Sequence, residues 1–188
     1  MDSPALRLIP QTDKELIMKK TFYSAALAIS VSLASGSIFA ATDADDFVED
    51  ASAKGVAEVE AGKLAQEKGT AADVKAYGAM MVKEHTAANE KLKAIADQKK
   101  LEVSTDAELL DKAKAMILDL RSAKSFDQAY ANNQVKAHEA TIEIFEDEAK
   151  NGDDAELKQF ATSTLPTLKA HLEKAKELAK AHGGDAGQ

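Results

Sequence analysis

The sequence has no cysteine, no tryptophan and only three prolines among 188 residues. Without cysteine there is neither a disulfide framework nor a thiolate metal site. Basic side chains are the minority, 24 Lys and Arg against 32 Asp and Glu, for a formal charge of −8. Phosphate binding needs a basic footprint, so nucleic acid and anionic lipid are not expected partners. A glycine-rich phosphate loop, a nucleophile elbow and a zinc-protease helix motif are all missing. Ser122, Ser125 and Ser163 have no evident base beside them, and whether the chain is an enzyme stays open, with a non-catalytic role favoured.

Long apolar runs are also scarce, and the one near the N-terminus reads as a targeting signal. From Met18 the chain runs MKKTFYSAALAISVSLASGSIFA, with two lysines, an apolar serine-rich stretch and Ile38-Phe39-Ala40 before an acidic segment. This has the form of a bacterial secretory signal peptide, residues 18–40, cleaved after Ala40. Ser and Gly interrupt the run, and it is short for a stable membrane span. Residues 1–17 carry no signal of their own and read as a misassigned upstream extension, with Met18 the initiator. The expected mature chain, 41–188, carries 20 basic and 29 acidic residues and suits one domain in the periplasm, free or envelope-associated.

That mature chain reads as helix throughout. A first helix is expected from Asp43 to about Lys68, with Val48, Ser52, Gly55, Val59 and Gly62 forming a small-residue face that lets a neighbour approach closely. Gly69 ends it, and a second helix opens at Thr70 or Ala71 and runs to about Lys100. In this second stretch Val74, Met81, Ala88 and Ile95 recur every seven residues around His85. Leu101 to Ser104 is a break; Thr105 and Glu108 then form a capping box for a short amphipathic helix containing Leu109, Leu110, Ala113, Met116, Ile117 and Leu120. A third helix, about Ser125 to Lys150, directs Tyr130, Val135, His138, Ile142 and Phe145 inward before Asn151-Gly152 stops it. The fourth starts after Asp153 and reaches about Ala181, with Leu157, Thr164, His171 and Leu178 at seven-residue spacing. The domain spans 41–182, and residues 183–188 read as a flexible tail.

An internal repeat gives these helices a topology. Shifting the chain by 83 residues places Gly69 on Gly152, Asp73-Val74-Lys75-Ala76-Tyr77 on Glu156-Leu157-Lys158-Gln159-Phe160, Val59 on Ile142 and Phe47 on Tyr130. Two similar antiparallel hairpins joined by a long connection containing the short helix make an all-α, ferritin-like four-helix bundle with a crossover.

His85, His138 and His171 each fall near the middle of an apolar face, on three different helices. The remaining helix supplies Glu58 at the edge of the Gly55/Gly62 face, with Glu60 further round. At about 1.5 Å per residue the four positions fall within a band of roughly 10 Å along a crossover bundle. Three imidazoles and a carboxylate form a sensible first shell for zinc, copper, iron or manganese. Each histidine alone also has an ordinary reading as a bonded core residue. The residue three before His85 is Val82, before His138 Val135 and before His171 Leu168, so the Glu-x-x-His signature of di-iron bundles is absent. Met81, one turn before His85, reads as core filling, and His182 as incidental. Glu139, Glu143, Glu146, Asp147 and Glu148 read as a solvated acidic face, balanced by Lys169, Lys174, Lys176 and Lys180. Pro166 lies one turn before His171, where it either kinks the fourth helix and aims that histidine inward or breaks the helix in two.

The stretches AEVEAGKLA (57–65), DVKAYGAMMVKEHTAANEKLKAIA (73–96), SFDQAY (125–130), VKAHEATIEIFE (135–146) and LPTLKAHLEKA (165–175) carry a resemblance. In order and spacing they resemble the exported bacterial, ferritin-like family catalogued as domain of unknown function 4142, over nearly the whole mature chain. The resemblance implies a ferritin-like fold, an exported or outer-membrane location and functional positions at Glu58, His85, His138 and His171, without implying an activity. Asp127, in the family's Phe-Asp pair, is read as a cap for the start of the third helix. Two functions follow as expectations. One is a periplasmic bundle binding a single transition metal through Glu58, His85, His138 and His171. The alternative is a non-catalytic envelope stress or interaction protein with structural core histidines, monomeric or homo-oligomeric, its protein partner unidentified.

Overall fold

The computed structural model describes residues 43–104 and 125–185. Four α-helices account for their regular structure: α1, Ala44–Lys68; α2, Ala72–Lys99; α3, Phe126–Asn151; and α4, Ala155–Ala181. Each boundary falls within two residues of its expected place. The capping box and short helix expected in 105–120 lie outside the described residues, as does the 18–40 segment. Among the described residues, no helix is long and apolar enough to cross a membrane.

The two hairpin turns share one geometry. Gly69 (φ −54°, ψ 137°) and Gly152 (φ −57°, ψ 138°) each leave their helix in extended backbone and return an N–H to the carbonyl four residues back, Ala65 and Glu148. Their N-terminal caps differ. Asp154 caps α4 itself, accepting from the N–H groups of Glu156 and Leu157, each at 3.0 Å. Its counterpart in the repeat is Ala71, which has no side chain to offer. The missing carboxylate comes from Asp127, on the first turn of α3. It accepts the main-chain N–H groups of Thr70 and Ala71, each at 2.9 Å, and the Thr70 hydroxyl. The reading of Asp127 as a cap for its own helix is therefore corrected: Ser125 occupies that role, and Asp127 ties the second hairpin to the turn of the first.

These contacts also orient the bundle. α1 packs along α2 and α3 along α4, while α1 faces α3 and α2 faces α4 across the seam between hairpins. Asp127 places the start of α3 beside the start of α2, and Lys99 at the end of α2 bridges to Asp154 at the start of α4 (2.7 Å). The last turn of α2 and the first turn of α3 thus lie at opposite ends of the bundle. His182 meets Asp73 at 3.0 Å, so α4 ends where α2 begins. Beyond it, Gly184 donates to the Ala179 carbonyl and Asp185 to Asn132 Oδ1.

The small residues of α1 do allow a close approach. A Cβ on Gly62 would stand 2.6 Å from the Gly78 carbonyl oxygen, and one on Gly78 would stand 2.7 Å from the Gly62 oxygen. Along α2 the buried positions are Val74, Tyr77, Gly78, Met81, His85, Leu92 and Ala96, with Ala88 and Ile95 only half-buried. A straight helix turns about 20° away from a strict seven-residue stripe with each heptad, so the core face drifts from Ala88 and Ile95 to Leu92 and Ala96.

The core is divided along its length. One apolar cluster joins the end of α1, the starts of α2 and α3 and the end of α4, through Leu64, Val74, Tyr77, Met81, Tyr130 and Leu178. A second fills the other end with Phe47, Val48, Leu92, Phe145, Leu157 and Phe160. Met81 is thus core filling, as expected. On every helix a buried polar residue stands between the two clusters: Glu58, His85, His138 and His171.

Lys169 pairs with Glu146 at 2.6 Å and Lys176 with Glu139 at 3.9 Å, so the acidic and basic faces of α3 and α4 do meet. Glu148 departs from the solvated-face reading: it is 1% exposed, with no hydrogen-bond partner for either carboxylate oxygen. Its place three residues after Phe145 and seven after Thr141 puts it on the inner face, while Glu146 and Asp147 point outward. α4 continues unbroken through the exposed Pro166, which removes the two-piece reading.

Candidate metal centre

The three histidines come together. One ring nitrogen from each of His85, His138 and His171 lies within 4.8 Å of the others, and all three side chains are buried. Their ring centroids are 5.4–5.6 Å apart. Each ring is placed by a different helix, and the polar layer exists because the histidines occupy core-facing registers at matching heights.

Two of the rings are held by hydrogen bonds that define their tautomers. His138 Nδ1 donates to the Gln134 carbonyl one turn earlier at 2.9 Å, which in the neutral ring leaves the Nε2 lone pair free. His171 Nε2 lies 2.8 Å from Glu84 Oε2, and donation to that carboxylate leaves Nδ1 as the lone-pair atom. Those free atoms, His138 Nε2 and His171 Nδ1, have no hydrogen-bond partner, and neither does His85 Nε2. Three partnerless nitrogens in one buried layer are exceptional, because buried polar atoms are ordinarily satisfied. Burial, reinforced by the charges His138 and His171 would carry, pushes His85 down to about 3. Burial also lowers His171, although the Glu84 hydrogen bond works against it. Neutral imidazole is the form a metal ion requires.

Glu58 is 3% exposed and at the same level, but its carboxylate accepts the Gln134 side-chain amide at 2.8 Å and it lies outside the three-nitrogen group. Burial raises its pKa, opposed by His138 and by the Gln134 bond. Glu60, also considered from the sequence, is exposed and pairs with Lys63 at 2.7 Å. His182 binds Asp73 at the bundle end, away from the histidine layer.

Three supporting residues were not singled out from the sequence. Gln134 connects Glu58 to His138, and its i, i+4 spacing to His138 was the available signal. Glu84 orients His171 from the neighbouring helix, and Tyr77 donates its hydroxyl to the His171 carbonyl at 3.1 Å. The carboxylate–imidazole pair and the carbonyl-bound imidazole are the usual outer partners of metal-binding histidines.

The fold and this layer define a class: a four-helix bundle whose core carries a three-histidine cluster able to hold a metal ion. The chain belongs to the family described as Domain of unknown function (DUF4142), whose model matches residues 32–178. No curated protein and no solved structure matches the chain.

Proposed function

We propose that this domain is a metal-binding bundle of the bacterial envelope, in which His85, His138 and His171 hold one transition-metal ion in the middle of the core. The observation that carries this reading is the meeting of three buried imidazoles within 4.8 Å, each with a partnerless nitrogen. The all-imidazole set suits zinc, copper or iron better than manganese, which prefers oxygen donors. Glu84 and the Gln134 carbonyl orient two of the rings, and the buried Glu58 carboxylate is held by the Gln134 side-chain amide behind His138. The opposite-end placement of the last turn of α2 and the first turn of α3 supports a ferritin-like crossover between them. The MKK-led apolar segment at 18–40 supports export to the periplasm.

The test is elemental analysis of protein purified from the periplasm without chelator, paired with thermal unfolding in the presence of each candidate ion. Near one equivalent of metal is expected, lost in His85→Ala, His138→Ala and His171→Ala. An ion at 100 times its Kd should stabilise the wild type by about 2.7 kcal/mol. Protein that is isolated metal-free and shows no shift with any offered ion would refute the reading and leave the histidines as structural core groups.

A further inference from the structure

A metal held by three protein nitrogens keeps a coordination position that a closed four-ligand structural site does not. The surroundings of that position can be read from the packing. A cavity of about 30 Å³ is lined by His85 and His171 but not by His138, so it opens on one side of the cluster. Glu58 and Glu84 also line it, and Leu92, Phe145 and Phe160 supply apolar wall. One oxygen of Glu58 is engaged with Gln134 and one of Glu84 with His171, so each carboxylate is oriented by a protein partner rather than by the space itself. A single water needs roughly 10–15 Å³ of such volume, so the cavity admits about two water-sized groups. An amino acid, a sugar or a nucleotide does not fit.

Resting on the metal-binding reading above, we propose that this cavity is the site of an exogenous ligand of two or three heavy atoms, which coordinates the metal from the His85/His171 side. The chemical class is a small lone-pair donor of the size of azide, cyanide, peroxide or dioxygen. The domain then presents an open metal to small molecules and screens out larger ones, which distinguishes it from a metal staple that only stabilises the bundle.

Cobalt(II) and azide are suitable probes. Cobalt bound by three imidazoles gives visible ligand-field bands that report its coordination, independently of any activity. Adding azide to cobalt-loaded protein should shift those bands saturably. Ala88→Leu and Thr167→Leu each place bulk against the cavity wall, Ala88 from a half-buried position and Thr167 from an exposed one, and thermal unfolding checks that both still fold. Both variants should keep the cobalt bands and need at least tenfold more azide for half the shift. A wild-type band that azide does not move overturns the open site while the metal reading stands. If Glu58→Gln then moves that band, Glu58 is the fourth ligand and the site is closed. Variants that respond to azide as the wild type does place the ligand elsewhere, which also overturns the proposal. Protein that gives no cobalt band at all removes the metal reading and this one together.

Discussion

Replacing Asp127 by Ala would remove one carboxylate and separate two hairpins at one end of the bundle. Asp127 is 6% exposed and receives the Thr70 and Ala71 N–H groups at 2.9 Å together with the Thr70 hydroxyl. Hydrogen bonds to a charged group contribute about 1.5–3 kcal/mol each, loss of an N-cap costs about 0.5–2 kcal/mol, and a charge at a helix N-terminus adds about 0.3–1 kcal/mol. These terms overlap because they describe the same contacts, and exposed Thr70 can recover a water. A net loss of about 2–4 kcal/mol remains for Asp127→Ala and about half of that for Asp127→Asn. Urea unfolding followed by circular dichroism should show a lower midpoint at unchanged slope. In the Ala background, Thr70→Ala should cost little more, because its partner is already gone. The pH dependence has a definite sign. Burial opposes the charge, but the Thr70 and Ala71 bonds outweigh it and hold the carboxyl below its usual value. Its contribution is therefore complete above the ordinary carboxylate range and disappears as pH falls through the lower folded value, so the gap between wild type and variant should be the same at pH 7 and pH 5 and narrow below about 4. A loss under about 0.5 kcal/mol, or a gap that widens in acid, would refute the account of Asp127 as the shared cap.

Three further expectations rest on other contacts in the bundle. Gly78→Ala should lose about 1–2 kcal/mol by urea unfolding despite the better helix propensity of Ala, since its Cβ would stand 2.7 Å from both the Gly62 oxygen and Ala65 Cβ; an unchanged midpoint would mean that α1 and α2 can separate freely. Glu148, pushed up to about 6 by burial and then by neighbouring acids, favours the fold when protonated and opposes it once pH rises through that value. Stability of Glu148→Gln relative to wild type should accordingly improve by about 1 kcal/mol between pH 4 and 7, allowing for solvent screening, and parallel pH curves for the two proteins would contradict it. Glu84→Gln should weaken metal affinity about 10- to 100-fold in a competition titration with a chelating dye, because the carboxylate that orients His171 loses its charge; unchanged affinity would detach Glu84 from the site.

The histidine layer was legible because helical periodicity converts sequence spacing into direction. His85, His138 and His171 sit in apolar stripes, and every stripe of a four-helix bundle points at one axis. Their heights followed from counting residues to the Gly69 and Gly152 turns. Glu84 was not legible for the same reason: one residue from His85, it lies about 100° round the helix, and only the placement of α4 beside α2 brings His171 to it.

Sequence alone determined the four helices, their ends and the core-facing histidine on three of them, because those properties depend on local periodicity, capping and turn chemistry. Tertiary structure decided the partnerships. The repeat sets Ala71 where Asp154 stands, and nothing local shows that Asp127, 56 residues away, supplies the missing cap. It also decided which acids are buried, taking Glu148 inward and leaving Glu146 paired with Lys169 at the surface. Such choices depend on which helix faces which, and helices of similar amphipathic pattern acquire distinct neighbours only when they pack.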